Sequence, residues 1–187
     1  MSEELENPHL TDFYDHLYKN PQGHNPFALD LQLYFLNKRF ENESNFPFAK
    51  NLMILDRCIL EYYEIFVRNL FQAGYMSVED FRTYQQHYEQ VNSRLEKPQI
   101  IIFLKASLET ALERIRLRDR DYEKSNLDVK YLEGLQANYD RFAKLVRDSH
   151  TSIHLIEIDT DDCTDEQVAK IALNHYLEFM SNHLLRK

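Results

Sequence analysis

The chain contains little glycine, no tryptophan and too few cysteines for a disulfide framework. Three glycines in 187 residues leave few positions for tight turns, which favours helices over a β-sandwich. Its two cysteines, Cys58 and Cys163, are typical of a protein from a reducing cytoplasm. No apolar run approaches the length of a membrane span, and no signal peptide opens the sequence. A soluble, cytoplasmic, helix-rich protein is therefore expected.

Positive charge is also in the minority. There are 31 Asp and Glu residues against 22 Lys and Arg, for a net charge of -9. This balance argues against nucleic acid or an anionic membrane as the main partner. The eight histidines are scattered, with no pair at metal-ligand spacing. An apolar fraction of 43% is ordinary for a globular protein, and the length suits one domain, residues 1–187.

Predicted helices and strands alternate along the chain. A short helix starts after Pro8, and a long one after Pro26 carries a helical apolar stripe of Leu29, Leu33, Leu36 and Phe40. Three apolar runs predict buried strands, at Asn51 to Arg57, Ile100 to Ala106, and Ser152 to Asp159. Capping signals predict further helices after Ser77, Ser107 and Thr164. Two more helices are predicted at 59–72, ended by Gly74, and at 127–148. Strands separated by helices pair in parallel, so we predict one α/β domain with a parallel sheet flanked by helices.

Polar residues follow each predicted strand, where parallel α/β domains bind ligands. Asp56 and Arg57 follow the first strand, Ser107 follows the second, and Asp159, Asp161 and Asp162 end the third. An Asp–Arg pair at a strand end is equally consistent with an ion pair that closes the sheet.

Four arginines lie within seven residues, in the segment "ERIRLRDRDYEK". In a helix Arg114 and Arg118 are neighbours, as are Arg116 and Arg120, and each like-charged pair costs about 0.2–0.5 kcal/mol. Such a cluster is explained if the guanidinium groups converge on a polyanion, because they match phosphate oxygens in geometry and charge. The alternative is a solvated helix end favoured by the helix dipole.

Five segments together resemble the deoxynucleoside kinases. "LDRCILE" looks like that family's strand-end motif, and "LERIRLRDRDYE" resembles the arginine-rich lid that closes over ATP. "ENPHLTDFY" resembles the segment after the second strand, "LQLYFLNKRF" the substrate helix, and "KYLEGL" the helix that follows the lid. The segments occur in the family's order over nearly the whole chain. The resemblance implies a P-loop kinase-like fold.

The resemblance implies transfer of phosphate from ATP, with Mg²⁺, to the 5′-hydroxyl of a deoxynucleoside. Such chemistry requires positioning, charge neutralisation and a carboxylate base. By resemblance Arg57 is near the transferred phosphate, Asp56 is near Mg²⁺, and Glu3 or Glu4 is the general base. Three lid residues would hold the donor phosphates: Arg114, Arg118 and Arg120.

The resemblance also assigns the nucleoside pocket. Gln32 would read the edge of the base, with Arg39 nearby. Glu133, together with Tyr14 or Tyr18, would hold the 3′-hydroxyl of the sugar. The family resemblance further implies a helix-mediated homodimer.

Three positions depart from the family pattern. Cys58 stands where the motif usually has Ser, and Asp119 replaces the usual Gly between two lid arginines. Tyr62 stands where the family usually carries an Asp that pairs with the counterpart of Arg39. Arg39 is therefore expected to lack its usual partner.

The family's phosphate-binding loop, Gly-x-x-x-x-Gly-Lys-Ser/Thr, does not occur in this sequence. We therefore expect an N-terminally truncated domain without the first strand, which is central in the family's order 2-3-1-4-5. Two strands that both pair with that strand would be left with open edges. We predict that residues 51–56 pair directly with residues 100–105, giving a three-stranded parallel sheet.

Three functions stay open. The first is a deoxynucleoside kinase, either a fragment or a protein completed by another chain. The second is a non-catalytic relative that binds a nucleoside or a partner protein. The third, a P-loop-type kinase of nucleotides, is less favoured because Gln32, Arg39 and Glu133 together suit a nucleoside pocket.

Overall fold

A computed structural model describes residues 7–44, 52–118, 129–149 and 152–184. The chain divides into two compact units. Unit 1 comprises Met1–Glu96 and Asp121–Phe142, and unit 2 comprises Lys97–Arg120 and Ala143–Lys187. Within the described residues, no helix is both long and apolar enough to cross a bilayer.

Helices dominate the described chain, as the scarcity of glycine predicts. The elements in chain order are α1 (Leu10–Lys19), α2 (Ala28–Ser44), α3 (Ile59–Glu61), a π-helical segment (Tyr62–Val67), α4 (Arg68–Gln72), α5 (Val78–Asn92), β1 (Ile100–Lys105), α6 (Leu108–Arg118), α7 (Val129–Asp148), β2 (His154–Asp159) and α8 (Asp165–Leu184).

Local capping explains where several helices begin and end. The Ser77 hydroxyl accepts a 3.0 Å hydrogen bond from the Asp80 N–H at the start of α5. At the start of α8, Thr164 and Gln167 form the predicted capping box, with bonds of 2.8 and 3.3 Å. Gly74, with φ of 79°, ends the helical segment that starts at Ile59. These predicted helix boundaries are confirmed.

The core of unit 1 lies between α1, α2, the helical segment 59–72 and α5. Aromatic rings supply much of it: Tyr63 and Tyr88 stack at 4.5 Å, and Phe71 and Phe81 stack at 4.4 Å. The buried apolar members are Phe13, Ala28, Leu31, Leu36, Ile59, Val67, Leu70, Tyr75, Met76, Tyr84 and Tyr88.

Helix α2 buries polar as well as apolar residues. Leu36, in the predicted apolar stripe, is fully buried, whereas Leu29 and Leu33 are half-buried against the core. The buried face also carries three polar side chains, Gln32, Arg39 and Glu43. The core-facing side of α2 is therefore wider than its leucine stripe predicted.

Unit 2 contains a two-stranded parallel sheet. β1 and β2 pair in register from Ile100 opposite His154 to Lys105 opposite Asp159. Beyond the strands, Thr160 donates its main-chain N–H to the Lys105 carbonyl at 2.8 Å. The predicted parallel pairing is confirmed, and the carboxyl ends of the two strands meet at one edge.

Two expectations about strands are wrong. Residues 52–58 form no strand in the described chain, and β1 pairs there with β2 alone, so the predicted three-stranded sheet is not found. β1 is also less buried than its apolar sequence predicted, with Ile102 38% and Leu104 52% exposed. An apolar run becomes a buried strand only when neighbours pair with its edges and cover its faces. Within the described residues, β1 has one such neighbour.

Candidate functional site

Asp56 and Arg57 form an exposed bend directly before α3. The φ angle of Arg57 is 66°, in the left-handed region, which costs a non-glycine residue about 1–2 kcal/mol. Its guanidinium lies 4.6 Å from the centre of the Phe66 ring, and Tyr139 meets Phe66 edge-on at 6.2 Å. Strained backbone of this kind is concentrated at ligand sites, so the bend is a candidate for binding.

Cys58 is the N-cap residue of α3 and is buried. Its main-chain N–H donates a 2.7 Å hydrogen bond to Glu61 Oε2, which satisfies one of the free N–H groups at the helix start. Burial raises the pKa of the Cys58 thiol to about 12. Burial also raises the pKa of Glu61, while its bond from the Cys58 N–H and the charge of Arg57 act in the opposite direction. The side chain of Glu61 is thus committed to capping.

We expect Cys58 to resist alkylation in the folded protein. With a pKa of about 12, roughly one thiol in ten thousand is deprotonated at pH 8, and only the thiolate reacts. Iodoacetamide at pH 8 followed by peptide mass spectrometry should label Cys163, which is less buried, and spare Cys58 until urea is added. Equal labelling of both cysteines in the native protein would contradict the buried placement of Cys58.

Arg39 joins α2 to the Asp56–Arg57 bend. Its Nη2 donates to the main-chain oxygen of Asp56 at 2.8 Å and lies 3.4 Å from the Tyr62 hydroxyl. Its guanidinium also lies 5.7 Å from the centre of the Tyr62 ring. Its Nε is 4.0 Å from Glu43 Oε1, one helical turn along α2. Arg39 therefore does have an acidic partner, supplied from its own helix instead of position 62.

Gln32 lies two turns before Arg39 on the same face of α2 and is 6% exposed. Its Oε1 is buried and has no hydrogen-bond partner among the described residues. An unsatisfied buried acceptor costs about 1–3 kcal/mol. A ligand N–H group would satisfy it, so Gln32 is suited to binding an amide or amino edge.

The residues predicted to hold the sugar are accessible and lie in unit 1. On α1, Tyr14 is half-buried against Phe13, with ring centres 5.4 Å apart, and Tyr18 is 66% exposed. Glu133 is exposed on α7. The proposed general bases Glu3 and Glu4 lie outside the described residues. Their roles therefore stay predictions.

Arg114 in unit 2 contacts the chain after β2. Its guanidinium donates to the Thr160 hydroxyl at 2.9 Å and also to the Thr160 main-chain oxygen. Beside it, Asp161 accepts a 2.7 Å hydrogen bond from the Ser107 N–H, and this bond lowers the pKa of the Asp161 carboxyl. The segments that follow β1 and β2 are thus tied together at the carboxyl edge of the sheet.

Arg118 is exposed at the last residue of α6, where a cation is favoured by the helix dipole. Arg120, predicted to act with it, lies outside the described residues. The structure therefore separates Arg114, whose guanidinium holds Thr160, from Arg118 at the solvent-exposed helix end.

Metal binding was predicted at Asp56. In the described part of the chain, no three His, Cys, Asp or Glu residues are grouped as a metal cluster would require. Mg²⁺ commonly uses only one or two protein carboxylates and takes its other oxygens from phosphates and water. The exposed carboxyl of Asp56 fits that sparse type of site, with Asp56 as the single protein ligand.

Glu43 is the residue that the sequence analysis missed. It is 4% exposed, and a carboxylate is rarely this buried unless it is paired, as Glu43 is with Arg39. Its position four residues after Arg39 was a usable signal, because side chains at that spacing are neighbours on a helix.

A sequence model of the deoxynucleoside kinase family matches residues 1–181. Deoxyadenosine kinase from Dictyostelium discoideum is 31% identical over 184 residues, which span 97% of this chain and 70% of that protein. Deoxyguanosine kinase from Bacillus subtilis is 27% identical over 158 residues, or 83% of this chain and 70% of that protein.

Solved structures of similar fold agree. Deoxyadenosine kinase from M. mycoides with bound dCTP has a TM-score of 0.74 at 24% identity, covering 95% of this chain and 84% of that one. The same enzyme with bound dATP has a TM-score of 0.69 at 26% identity, covering 92% and 82%. The predicted P-loop kinase-like α/β fold, with a parallel sheet flanked by helices, is confirmed.

Proposed function

Because this chain belongs to the deoxynucleoside kinase family, we propose that it binds a deoxynucleoside and serves its ATP-dependent phosphorylation at the 5′-hydroxyl. The observation that carries this proposal is the buried polar face of α2. There Gln32 has an acceptor without a partner, and Arg39 reaches the Asp56–Arg57 bend. A polar face of this kind inside an apolar core suits a ligand with a polar edge and a flat apolar body.

Each group at this face has a chemical task. The amide of Gln32 offers one acceptor and two donors, which matches the Watson–Crick edge of a base. Arg57 would stabilise the negative charge that develops on the transferred phosphate. Asp56 would hold Mg²⁺, which when bound neutralises phosphate charge and aligns the two reacting oxygens.

The sugar and the reacting hydroxyl complete the proposal. Glu133, with Tyr14 or Tyr18, would hold the 3′-hydroxyl, because a carboxylate and a phenol together can accept and donate. Glu3 or Glu4 would remove the proton from the 5′-hydroxyl as the phosphate is transferred.

Gln32→Met should weaken deoxynucleoside binding by about tenfold or more, since the base edge would lose hydrogen bonds in a buried setting worth about 1–3 kcal/mol. Calorimetric titration of the four deoxynucleosides measures the change. Gln86→Met, at an exposed position on α5, is the matched control and should bind like the parent chain. Equal affinities for parent and Gln32→Met would remove Gln32 from the site.

Arg114 and Arg118 should respond differently to truncation. Arg114→Ala removes both hydrogen bonds to the buried Thr160 and should destabilise the protein by about 1–3 kcal/mol. Arg118→Ala should change stability by less than about 0.5 kcal/mol, as for most exposed positions. In a form of the protein that carries a P-loop, Arg118→Ala should weaken ATP binding. Urea unfolding and nucleotide titration distinguish the two, and the reverse pattern would make Arg118 the structural residue.

A second function is a non-catalytic relative that binds a nucleoside or a partner protein. The specific observation in its favour is that no Gly-x-x-x-x-Gly-Lys-Ser/Thr motif occurs in this sequence. Deoxynucleoside binding without turnover would favour this reading. By resemblance we also propose a homodimer. From the composition and the element pattern we further propose a single domain over residues 1–187 and a cytoplasmic location. Sedimentation equilibrium would test the dimer.

A further inference from the structure

Glu43 and Arg39 form a charged pair inside unit 1. They are 4% and 7% exposed, and Glu43 Oε1 lies 4.0 Å from Arg39 Nε. A buried pair of this kind gives little net stability, because taking both charges out of water costs about as much as their attraction returns. Apolar side chains of similar size would fill the same space at least as well. The pair is therefore better explained by a neighbouring group that it holds in place than by its contribution to stability.

The hydrogen bond made by Arg39 Nη2 supplies that explanation. Arg39 Nη2 donates a 2.8 Å hydrogen bond to the main-chain oxygen of Asp56, which is the carbonyl of the peptide that leads into Arg57. A charged donor at this oxygen fixes the orientation of that peptide. Arg57, the next residue, has the left-handed φ of 66°. The contact therefore restrains the peptide directly before Arg57, whose guanidinium lies 4.6 Å from the centre of the Phe66 ring.

The neighbouring residues Glu61 and Tyr62 have roles that differ from that of Glu43. Glu61, close in sequence to the bend, accepts from the Cys58 N–H at 2.7 Å and caps α3. Tyr62 brings its hydroxyl to 3.4 Å from Arg39 Nη2 and stacks on Phe35 at 5.9 Å, but it carries no charge at neutral pH. Glu43, by contrast, has its carboxylate within ion-pair distance of this guanidinium.

We propose that Glu43 is a positioning residue for the phosphate end of the nucleoside site. It orients Arg39, Arg39 holds the Asp56 carbonyl, and the bend presents Arg57 to the 5′-phosphate. This inference rests on the proposed function and adds to it a role for a residue outside the motifs. It concerns the 5′-phosphate, not the base, because the relay ends at Arg57.

The relay predicts a selective loss of affinity. A deoxynucleoside 5′-monophosphate should bind the parent chain more tightly than the deoxynucleoside does, because Arg57 adds a charged contact to the phosphate. Glu43→Gln keeps the size of the side chain and removes its charge. It should weaken monophosphate binding about tenfold while changing deoxynucleoside binding less than about twofold. A structural role alone would weaken both ligands together.

Two further variants separate positioning from folding. Glu41→Gln is the matched control, since Glu41 lies two residues earlier on α2, is 63% exposed and pairs with Lys38 at 3.7 Å. The double variant Arg39→Met with Glu43→Met removes both buried charges and should fold at least as stably as the parent chain. It should still lose the preference for the monophosphate.

The experiment titrates the parent chain and the three variants with deoxyadenosine and with its 5′-monophosphate, by calorimetry, with the other three pairs as alternatives. The quantity compared is the affinity for the monophosphate divided by the affinity for the deoxynucleoside. The inference is supported if this ratio falls in Glu43→Gln and in the double variant but not in Glu41→Gln. A parent-like ratio in those two variants overturns it while the proposed function stands. A parent chain that is folded and binds neither ligand overturns both.

Discussion

The purified 187-residue chain is expected to show no ATP-dependent phosphorylation of any of the four deoxynucleosides. Phosphate transfer depends on placing the two reacting oxygens and stabilising the charge that develops between them. In P-loop kinases the backbone N–H groups of the loop and its lysine hold the donor phosphates, and this sequence contains no such motif. Loss of a single group that stabilises transition-state charge costs about 10²–10³ in rate. Loss of the whole loop should therefore reduce turnover below detection in a chromatographic assay.

Comparison of the parent chain with a chimera that carries a P-loop tests this expectation. A chimera that places a strand, P-loop and helix before Met1 should gain turnover, and Arg57→Ala in that chimera should reduce it again. If the same preparation of the parent chain binds a deoxynucleoside, its lack of turnover is not caused by misfolding. Robust turnover by the parent chain would mean that other residues take over the task of the P-loop.

Gly134→Ala is expected to destabilise unit 1 by about 1–3 kcal/mol. In most helix interiors the same change stabilises by about 1 kcal/mol, because glycine gains more freedom on unfolding. Here an added Cβ would lie 2.4 Å from Asn69 Oδ1. Asn69 is 2% exposed, and its side chain is held by bonds to the Tyr131 carbonyl at 3.2 Å and from Asn138 at 3.4 Å. Steric overlap should therefore outweigh helix propensity.

Urea unfolding of a double-mutant cycle tests this contact. In an Asn69→Ala background the obstructing oxygen is gone, so Gly134→Ala should become neutral or stabilising. Ala137→Gly, at an exposed position on the same helix, calibrates helix propensity and should cost about 1 kcal/mol. A more stable Gly134→Ala in the parent background would show that the two helices do not approach this closely.

The helices of this protein were predictable because their signals are local. Ser77 and Thr164 start helices through bonds to residues three positions away, and Gly74 ends one through its own backbone conformation. The parallel pairing of β1 with β2 also followed from the order of strands and helices along the chain. The motifs that carry the family resemblance are likewise contiguous segments, and family membership is confirmed.

Position 62 shows where reasoning from sequence reaches its limit. The replacement of an acid by Tyr62 suggested that Arg39 lacked its partner, yet the partner is Glu43. Helical spacing makes those two side chains neighbours, but in most proteins such a pair lies in water and has little effect. Only the packing of α2 shows that both charges are buried, and only the tertiary contact of Arg39 with the Asp56 carbonyl gives the pair a task.

By itself, then, the sequence determined which segments become helices, how the two strands run, and to which family the chain belongs. The tertiary structure decided that residues 52–58 contain a bend instead of a strand, that Glu43 partners Arg39, and that Arg114 holds Thr160. The physical reason is distance along the chain. Capping and helical periodicity act over three or four residues, whereas burial and strand pairing depend on residues brought together from far apart, which no local pattern records.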